Sequence, residues 1–240
     1  MFVLTSSGVL TMHSFLGAKL ILLLAFFLVL FSMCFWFRDI ISEATYLGNH
    51  TLAVQRGLNM GITLFIISEA FFFLSIFWAY FHIALAPPIE MGASWPPQGI
   101  DSINAFELPL VNTVILLSSG FIITYGHHSV IGGYRFDSLR ATFLTIVLAF
   151  IFTVLQGVEY TVSSFTFCDS AYGSCFYFGT GFHGLHVIIG TAFIGVGLWR
   201  LLDYHLTVSH HLGLESSILY WHFVDIVWLV LFIGLYWWGS

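Results

Sequence analysis

The chain has 240 residues, 59% of them hydrophobic and 19% aromatic, and only 8% carry a charge, against about 25% in a typical soluble domain. Its formal charge of -6 is small and scattered, and no basic cluster interleaves with aromatics, so a nucleic-acid partner is excluded and most of the chain has lipid for its solvent. Cys34, Cys168 and Cys175 are too few for a disulfide framework and lack zinc-type spacing.

A helix needs about 20 apolar residues to cross a hydrocarbon core of about 30 Å. In chain order the first apolar stretch, residues 1–12, is too short and reads as a partial span. Six full spans follow at 20–37, 58–85, 108–126, 140–164, 176–199 and 213–238. The runs are long and unbroken, whereas barrel strands would be about ten residues each with alternating polarity. The expectation is an all-α polytopic membrane protein, one transmembrane domain over residues 1–240. Repeats and a small-residue cleavage site are not apparent, so the apolar segments are expected to be retained.

The loops carry a second signal. Arg38, Arg56, Arg135, Arg140 and Arg200 all fall on one side of the membrane if every span crosses it, and only Lys19 departs from the pattern. The opposite loops, about 86–107 and 165–175, hold Glu90, Asp101, Glu107 and Asp169 but no Lys or Arg, which is the positive-inside distribution. An odd number of crossings places the N-terminus on the arginine-rich side and favours a seventh, partial helix. Tyr236, Trp237 and Trp238 are expected to close the last helix in an interfacial aromatic belt.

Four polar groups interrupt the spans: Glu69; Gln156 with Glu159; His183 with His186; and His222 with Asp225. Each costs several kcal/mol if it faces lipid, so each is expected to face protein, a cavity or a partner. A di-iron bundle site wants Glu-x-x-His on two helices. The residues three after Glu43, Glu69, Glu90, Glu107, Glu159 and Glu215 are Tyr46, Phe72, Ala93, Leu110, Val162 and Ile218, none of them histidine. Haem ligation by His183, His186 and His222 remains open on spacing. The plainer reading makes these groups interhelical contacts, with Gly181, Gly184 and Gly190 letting a neighbouring helix approach. No nucleophile elbow or phosphate-binding glycine loop is present. Glu69 lies thirteen residues from Arg56, about 20 Å along a helix and so close to mid-bilayer. It suits either a proton-relay group or an interhelical contact.

Long motifs then converge on one family. "RDIISEATYLGNHTLAVQRGLNMGITLFIISEAFFFLSIFWAYFH" (38–82), "MGASWPPQGI" (91–100), "LPLVNTVILLSSGFIITYGHHS" (108–129), "DSAYGSCFYFGTGFHGLHVIIGT" (169–191) and "YWHFVDIVWLVLFIGLYWWGS" (220–240) closely resemble subunit III of mitochondrial cytochrome c oxidase. The resemblance runs from about residue 36 to the C-terminus. It implies a seven-helix bundle whose first two helices are separated from the other five by a lipid-filled, V-shaped cleft.

The resemblance also implies a core subunit of respiratory complex IV without redox centres. Haem a, haem a3 and copper would reside in partner subunits I and II. This chain would stabilise subunit I, support proton uptake and oxygen access, and join accessory subunits and a respiratory supercomplex. The location implied is the mitochondrial inner membrane, with the arginine-rich loops on the matrix side. Residue by residue, Trp36, Arg38, Glu43 and His50 match one phospholipid head-group site, Arg200 and His205 match a second, and Glu69 matches a buried acid beside lipid. Ser42 and Asp203 stand where relatives often carry a basic residue. Cys168 and Cys175 replace the usual Ser or Thr and are expected to be free thiols. No metal ligand and no catalytic residue carries over. An autonomous transporter that uses Glu69 is the rival of another class.

Overall fold

The structure, a computed structural model, describes residues 1–239. Among them are seven α-helices and no strand: α1 (Phe2–Met12), α2 (Ala18–Thr45), α3 (Leu52–Leu85), α4 (Leu108–Ile131), α5 (Arg135–Val162), α6 (Ala171–Leu202) and α7 (Leu212–Leu231). A π-helical turn over Phe232–Trp237 prolongs α7. Six of these helices are long and apolar enough to cross a membrane, and α1 is too short. Helices answer the demand that hydrocarbon makes of a backbone, since every N–H and C=O finds its partner within the segment.

The helices overrun the apolar stretches. Helix α2 continues through Arg38, Asp39 and Glu43 to Thr45, and α5 begins at Arg135, with Asp137 in its first turn where the helix dipole favours an acid. A helix does not have to stop where hydrocarbon ends, because its hydrogen bonding is internal. Local chemistry sets the ends instead. Pro109 occupies the first turn of α4, where a missing N–H removes nothing. The Ser170 hydroxyl accepts from the Gly173 N–H at 3.3 Å and caps α6.

The chain divides into two compact units, Met1–Arg56 and Gly57–Ser240. In the first, α1 turns back onto α2 through Gly17, whose φ of +81° lies in the left-handed region that glycine adopts without strain. The contact between them buries Ser7, Ala18 and Ala25. Ser7 and Thr11 donate their hydroxyls to the carbonyls of Leu4 and Ser7 in their own helix, at 3.0 and 2.7 Å. No polar hydrogen then points away from α1 at these two positions.

In the second unit α4, α5, α6 and α7 form a closed ring in which each helix packs on the next and α7 returns to α4. Glycine sets the spacing where large side chains enter. A Cβ on Gly190 would lie 3.0 Å from Trp221, one on Gly197 would lie 2.9 Å from Leu214, and one on Gly179 would lie 3.4 Å from Leu231. These three glycines form one stripe on α6, into which α7 inserts its bulk. Gly181 and Gly184, expected to serve the same contact, do not: nothing comes within 4 Å of a Cβ on either. The reason is helical periodicity, because nine residues separate Gly181 from Gly190 and nine steps of about 100° turn it to the opposite face.

Helix α3 joins this ring by ring-to-ring contact rather than by close backbone approach. Phe72 meets Phe182 at 5.1 Å, Phe73 meets His186 at 5.0 Å and Phe223 at 6.2 Å, and Tyr80 meets Trp95 at 5.3 Å between centroids. Outside the ring, large apolar side chains such as Phe121, Phe150 and Ile226 are exposed, as lipid-facing positions are. Gly190→Val is expected to lower stability by about 1–3 kcal/mol through overpacking against Trp221. The check is the thermal midpoint at which the subunit is lost from detergent-solubilised protein.

Candidate functional site

The polar groups at membrane depth in the second unit pair off across helices. Glu69 on α3 reaches His186 on α6, Oε2 to Nε2 at 2.8 Å, with the histidine nearly buried and the acid about three-quarters buried. The Nδ1 of His186 lies 2.7 Å from the Phe182 carbonyl, which can only accept, so Nδ1 carries a proton. The second proton of the pair therefore lies between Nε2 and Oε2. It belongs either to a neutral acid donating to imidazole or to an imidazolium donating to carboxylate, and the pair has no net charge in either form.

Gln156 and Glu159 on α5 form a second group, and its third member, Tyr236, was expected in an interfacial belt. Trp237 and Trp238 are exposed, but Tyr236 is buried and donates its hydroxyl to Glu159 Oε1 at 2.6 Å. It lies within the π-helical turn and faces α5. The Gln156 amide donates to Glu159 at 3.1 Å and to the Tyr236 oxygen at 3.3 Å, and its carbonyl accepts from Asn112 on α4 at 3.4 Å. Helices α4 and α5 and the end of α7 are thus tied by four side chains.

His222 and Asp225 form the third group. The Thr124 hydroxyl donates to the Gly120 carbonyl at 2.8 Å, so its contact with His222 Nε2 at 3.0 Å is one in which the ring donates. Asp225 Oδ2 is 3.7 Å from His222 Nδ1. The carboxylate occupies the notch left by Gly120, where any Cβ would collide with it. His183 is buried and donates Nε2–H to the Val224 carbonyl at 3.3 Å, with its ring 5.1 Å from that of Trp228. The three imidazoles weighed as haem ligands point to separate partners: His183 to a carbonyl, His186 to Glu69 and His222 to Thr124. Among the described residues no three His, Cys, Asp or Glu side chains gather as a metal ion would require.

Several contacts were missed by sequence reasoning. Trp221 and Trp228 donate their indole N–H groups to Ser119 and Thr113, both at 2.9 Å, and lock α7 to α4 in antiparallel register. Arg135 donates to the last carbonyls of α6, those of Leu201 and Leu202, both at 2.8 Å, with its guanidinium stacked 3.6 Å from the Tyr204 ring centroid. That arginine counted only as a topology charge. Its partners lie more than sixty residues away, and no local spacing announces them.

The residues expected at lipid head groups divide between the units. Trp36, Arg38 and Glu43 are exposed near the end of α2, and His50 is half-buried just beyond it. Arg38 pairs with Asp39 at 2.8 Å and lies 4.7 Å from the centroid of Phe35, while the His50 carbonyl accepts from Gln55 at 2.8 Å. In the other unit Arg200 is buried and occupies the space left by Gly213, where a Cβ would stand 2.7 Å from its Nη1. His205 lies against Trp199 with ring centroids 5.7 Å apart. Cys34, Cys168 and Cys175 are free thiols.

With this geometry established, comparison with known proteins places it. The family model described as Cytochrome c oxidase subunit III matches residues 1–240. Curated relatives include Cytochrome c oxidase subunit 3 of Emericella nidulans, 66% identical over 239 residues that cover 100% of this chain and 89% of the relative. That of Podospora anserina is 62% identical, covering 99% and 88%, and that of Yarrowia lipolytica is 55% identical, covering 97% and 87%.

The chain belongs to the cytochrome c oxidase subunit III family.

Among the described residues the Glu69–His186 pair is a polar bridge between α3 and the ring described above. Substituting Glu69 with Gln puts an amide N–H where the carboxyl group can donate to Nε2, and is expected to change stability by less than about 1 kcal/mol. His186→Leu leaves the acid without its partner and is expected to cost about 1–3 kcal/mol. Thermal midpoints of the two variants check the contrast.

Proposed function

We propose that this chain serves its complex as a brace and a lipid-holding element for the redox subunits. It is a subunit of cytochrome c oxidase, respiratory complex IV, an oxidoreductase that carries electrons from cytochrome c to dioxygen. The observation that supports a bracing role is the commitment of its buried polar groups. Glu69 with His186, Glu159 with Tyr236, and His222 with Thr124 each join two helices. Such pairings stiffen a bundle whose apolar surfaces alone give little preference for one helix arrangement over lipid.

In this reading haem a, haem a3 and copper belong to subunits I and II, with which the chain associates in the mitochondrial inner membrane. Its exposed apolar faces are covered by those partners and by lipid. The arginine-bearing edge is the matrix side. Phospholipid head groups settle at Trp36, Arg38, Glu43 and His50, and at Arg200 and His205, where a guanidinium suits a phosphate. Arg38 is accessible, with its side chain 66% exposed. Arg200, buried against Gly213, would contribute through the field at that edge more than through direct contact.

Gentle affinity purification from the native membrane, followed by a reduced-minus-oxidised visible spectrum and masses of the co-purifying chains, tests the assignment. Haem a signals with two large partners are expected. Recovery of the chain alone, with or without haem, would overturn it. In the purified complex Arg38→Ala is expected to lower the phospholipid retained per complex while electron transfer stays within about twofold of the unsubstituted enzyme; quantitative lipid mass spectrometry and oxygen-uptake rates check this. Glu69→Gln is likewise expected to leave electron transfer largely intact, since the acid contacts an imidazole of its own subunit.

A further inference from the structure

Where α4 ends and α7 begins, His127 and His211 turn their Nε2 atoms toward one another at 3.3 Å, with ring centroids 5.3 Å apart. The Nδ1 of His211 lies 3.1 Å from the Thr207 carbonyl and must donate to it, which leaves its Nε2 with a lone pair directed at His127. A backbone carbonyl that fixes the outer nitrogen of a histidine is the arrangement that orients metal-ligating imidazoles. The separation also fits. Two nitrogens bound at about 2.0–2.1 Å to a tetrahedral ion stand about 3.3 Å apart, so the two Nε2 atoms already have the separation of a metal-bound pair.

The position is accessible, as both rings are only half-buried. His128, exposed beside it, keeps its ring 6.2 Å from that of His127, and the exposed Glu215 stands four residues after His211. None of these groups takes part in the interhelical pairs of Glu69, Glu159 or Asp225.

We propose that His127 and His211 form a labile binding site for a divalent transition metal of the zinc class, with two imidazole nitrogens as protein ligands and water completing the shell. Binding requires His127 to carry its single proton on Nδ1 rather than Nε2, and the two rings to turn so that both Nε2 lone pairs meet the ion. With only two protein ligands the site exchanges its ion with solution, unlike a resident cofactor. Occupancy would clamp the end of α4 to the start of α7.

The test uses the assembled oxidase, stripped of loosely held metal and titrated with Zn2+. Histidines are then labelled with diethylpyrocarbonate and read by peptide mass spectrometry. Protection of His127 and His211 together, at zinc levels that leave the exposed His13 just after α1 unprotected, is the expected result. Unchanged labelling of either residue, including no labelling at all, overturns the proposal. In parallel, His211→Asn is expected to weaken one class of zinc binding by at least the roughly 10- to 100-fold that loss of a ligand's hydrogen-bond partner alone costs, and the lost class should show nitrogen ligation in the zinc X-ray absorption spectrum of the unsubstituted complex. Equal zinc binding by both complexes also overturns it. The labelling experiment stands on the unsubstituted complex, so a variant that fails to assemble does not remove the test.

Discussion

In hydrocarbon a polar side chain without a partner costs several kcal/mol, while apolar side chains gain almost nothing by leaving lipid for protein. That asymmetry governs how α3 to α7 are held. The apolar residues of the second unit permit many packings; its few polar residues permit very few. Trp221 on Ser119 and Trp228 on Thr113 fix the register of α7 on α4, and Tyr236 on Glu159 fixes the end of the same helix against α5. Glu69 on His186 fixes α3 on α6. A one-residue slip of α7 would turn both tryptophans by about 100° and strand two indole N–H groups together with a carboxylate. Glycine supplies the complementary half of the constraint. The notches at Gly179, Gly190 and Gly197 accept the bulk that α7 carries, and the notch at Gly120 accepts the carboxylate of Asp225.

Much of the fold was legible because its strongest determinant is local. Six long apolar runs demand helices whatever surrounds them, and seven helices with no strand are found among the described residues. What escaped was which face of each helix meets which neighbour. Gly181 and Gly184 lie in "GFHGLHV" beside His183 and His186 and look like part of the same contact, yet only the histidines turn inward. Three or four residues decide this, and a helix that is apolar all round gives no moment from which to read its orientation. Tyr236 was misplaced for a related reason. A terminal run of aromatics reads as a belt by composition, whereas one of the three turns inward to an acid 77 residues earlier on α5.

The candidate site was legible as a set of residue types and illegible as a set of pairs. Every buried polar group named from sequence does engage another group, since hydrocarbon leaves no alternative. The partners were not all foreseen: Glu69 and His186 are 117 residues apart, and Thr124 and His222 are 98 apart. Arg135 shows the same limit from the surface side. Its charge sign speaks to topology, while its geometry caps α6 at Leu201 and Leu202.

Two imidazole contacts that look alike differ in what they can do next. At Glu69 and His186 the outer nitrogen is spent on a carbonyl, and the inner proton lies between a carboxylic oxygen and a nitrogen. Both ends of that hydrogen bond are complementary, and the pair is satisfied as it stands. At His127 and His211 the outer nitrogen of His211 is likewise spent on a carbonyl, but the inner proton lies between two nitrogens of equal kind. His211 Nε2 is already a lone pair, and once His127 carries its proton on Nδ1 its Nε2 is a second, so that both can bind one ion. The first pair sits midway along α3, with the histidine nearly buried, where a displaced proton has no water to take it. The second sits at the helix ends, where both rings are only half-buried and water can supply the remaining ligands. The same side chain therefore acts as a structural tie at one depth and as an exchangeable ligand at another, and the chemistry of its partner, an oxygen acid in one case and a second imidazole in the other, sets the difference.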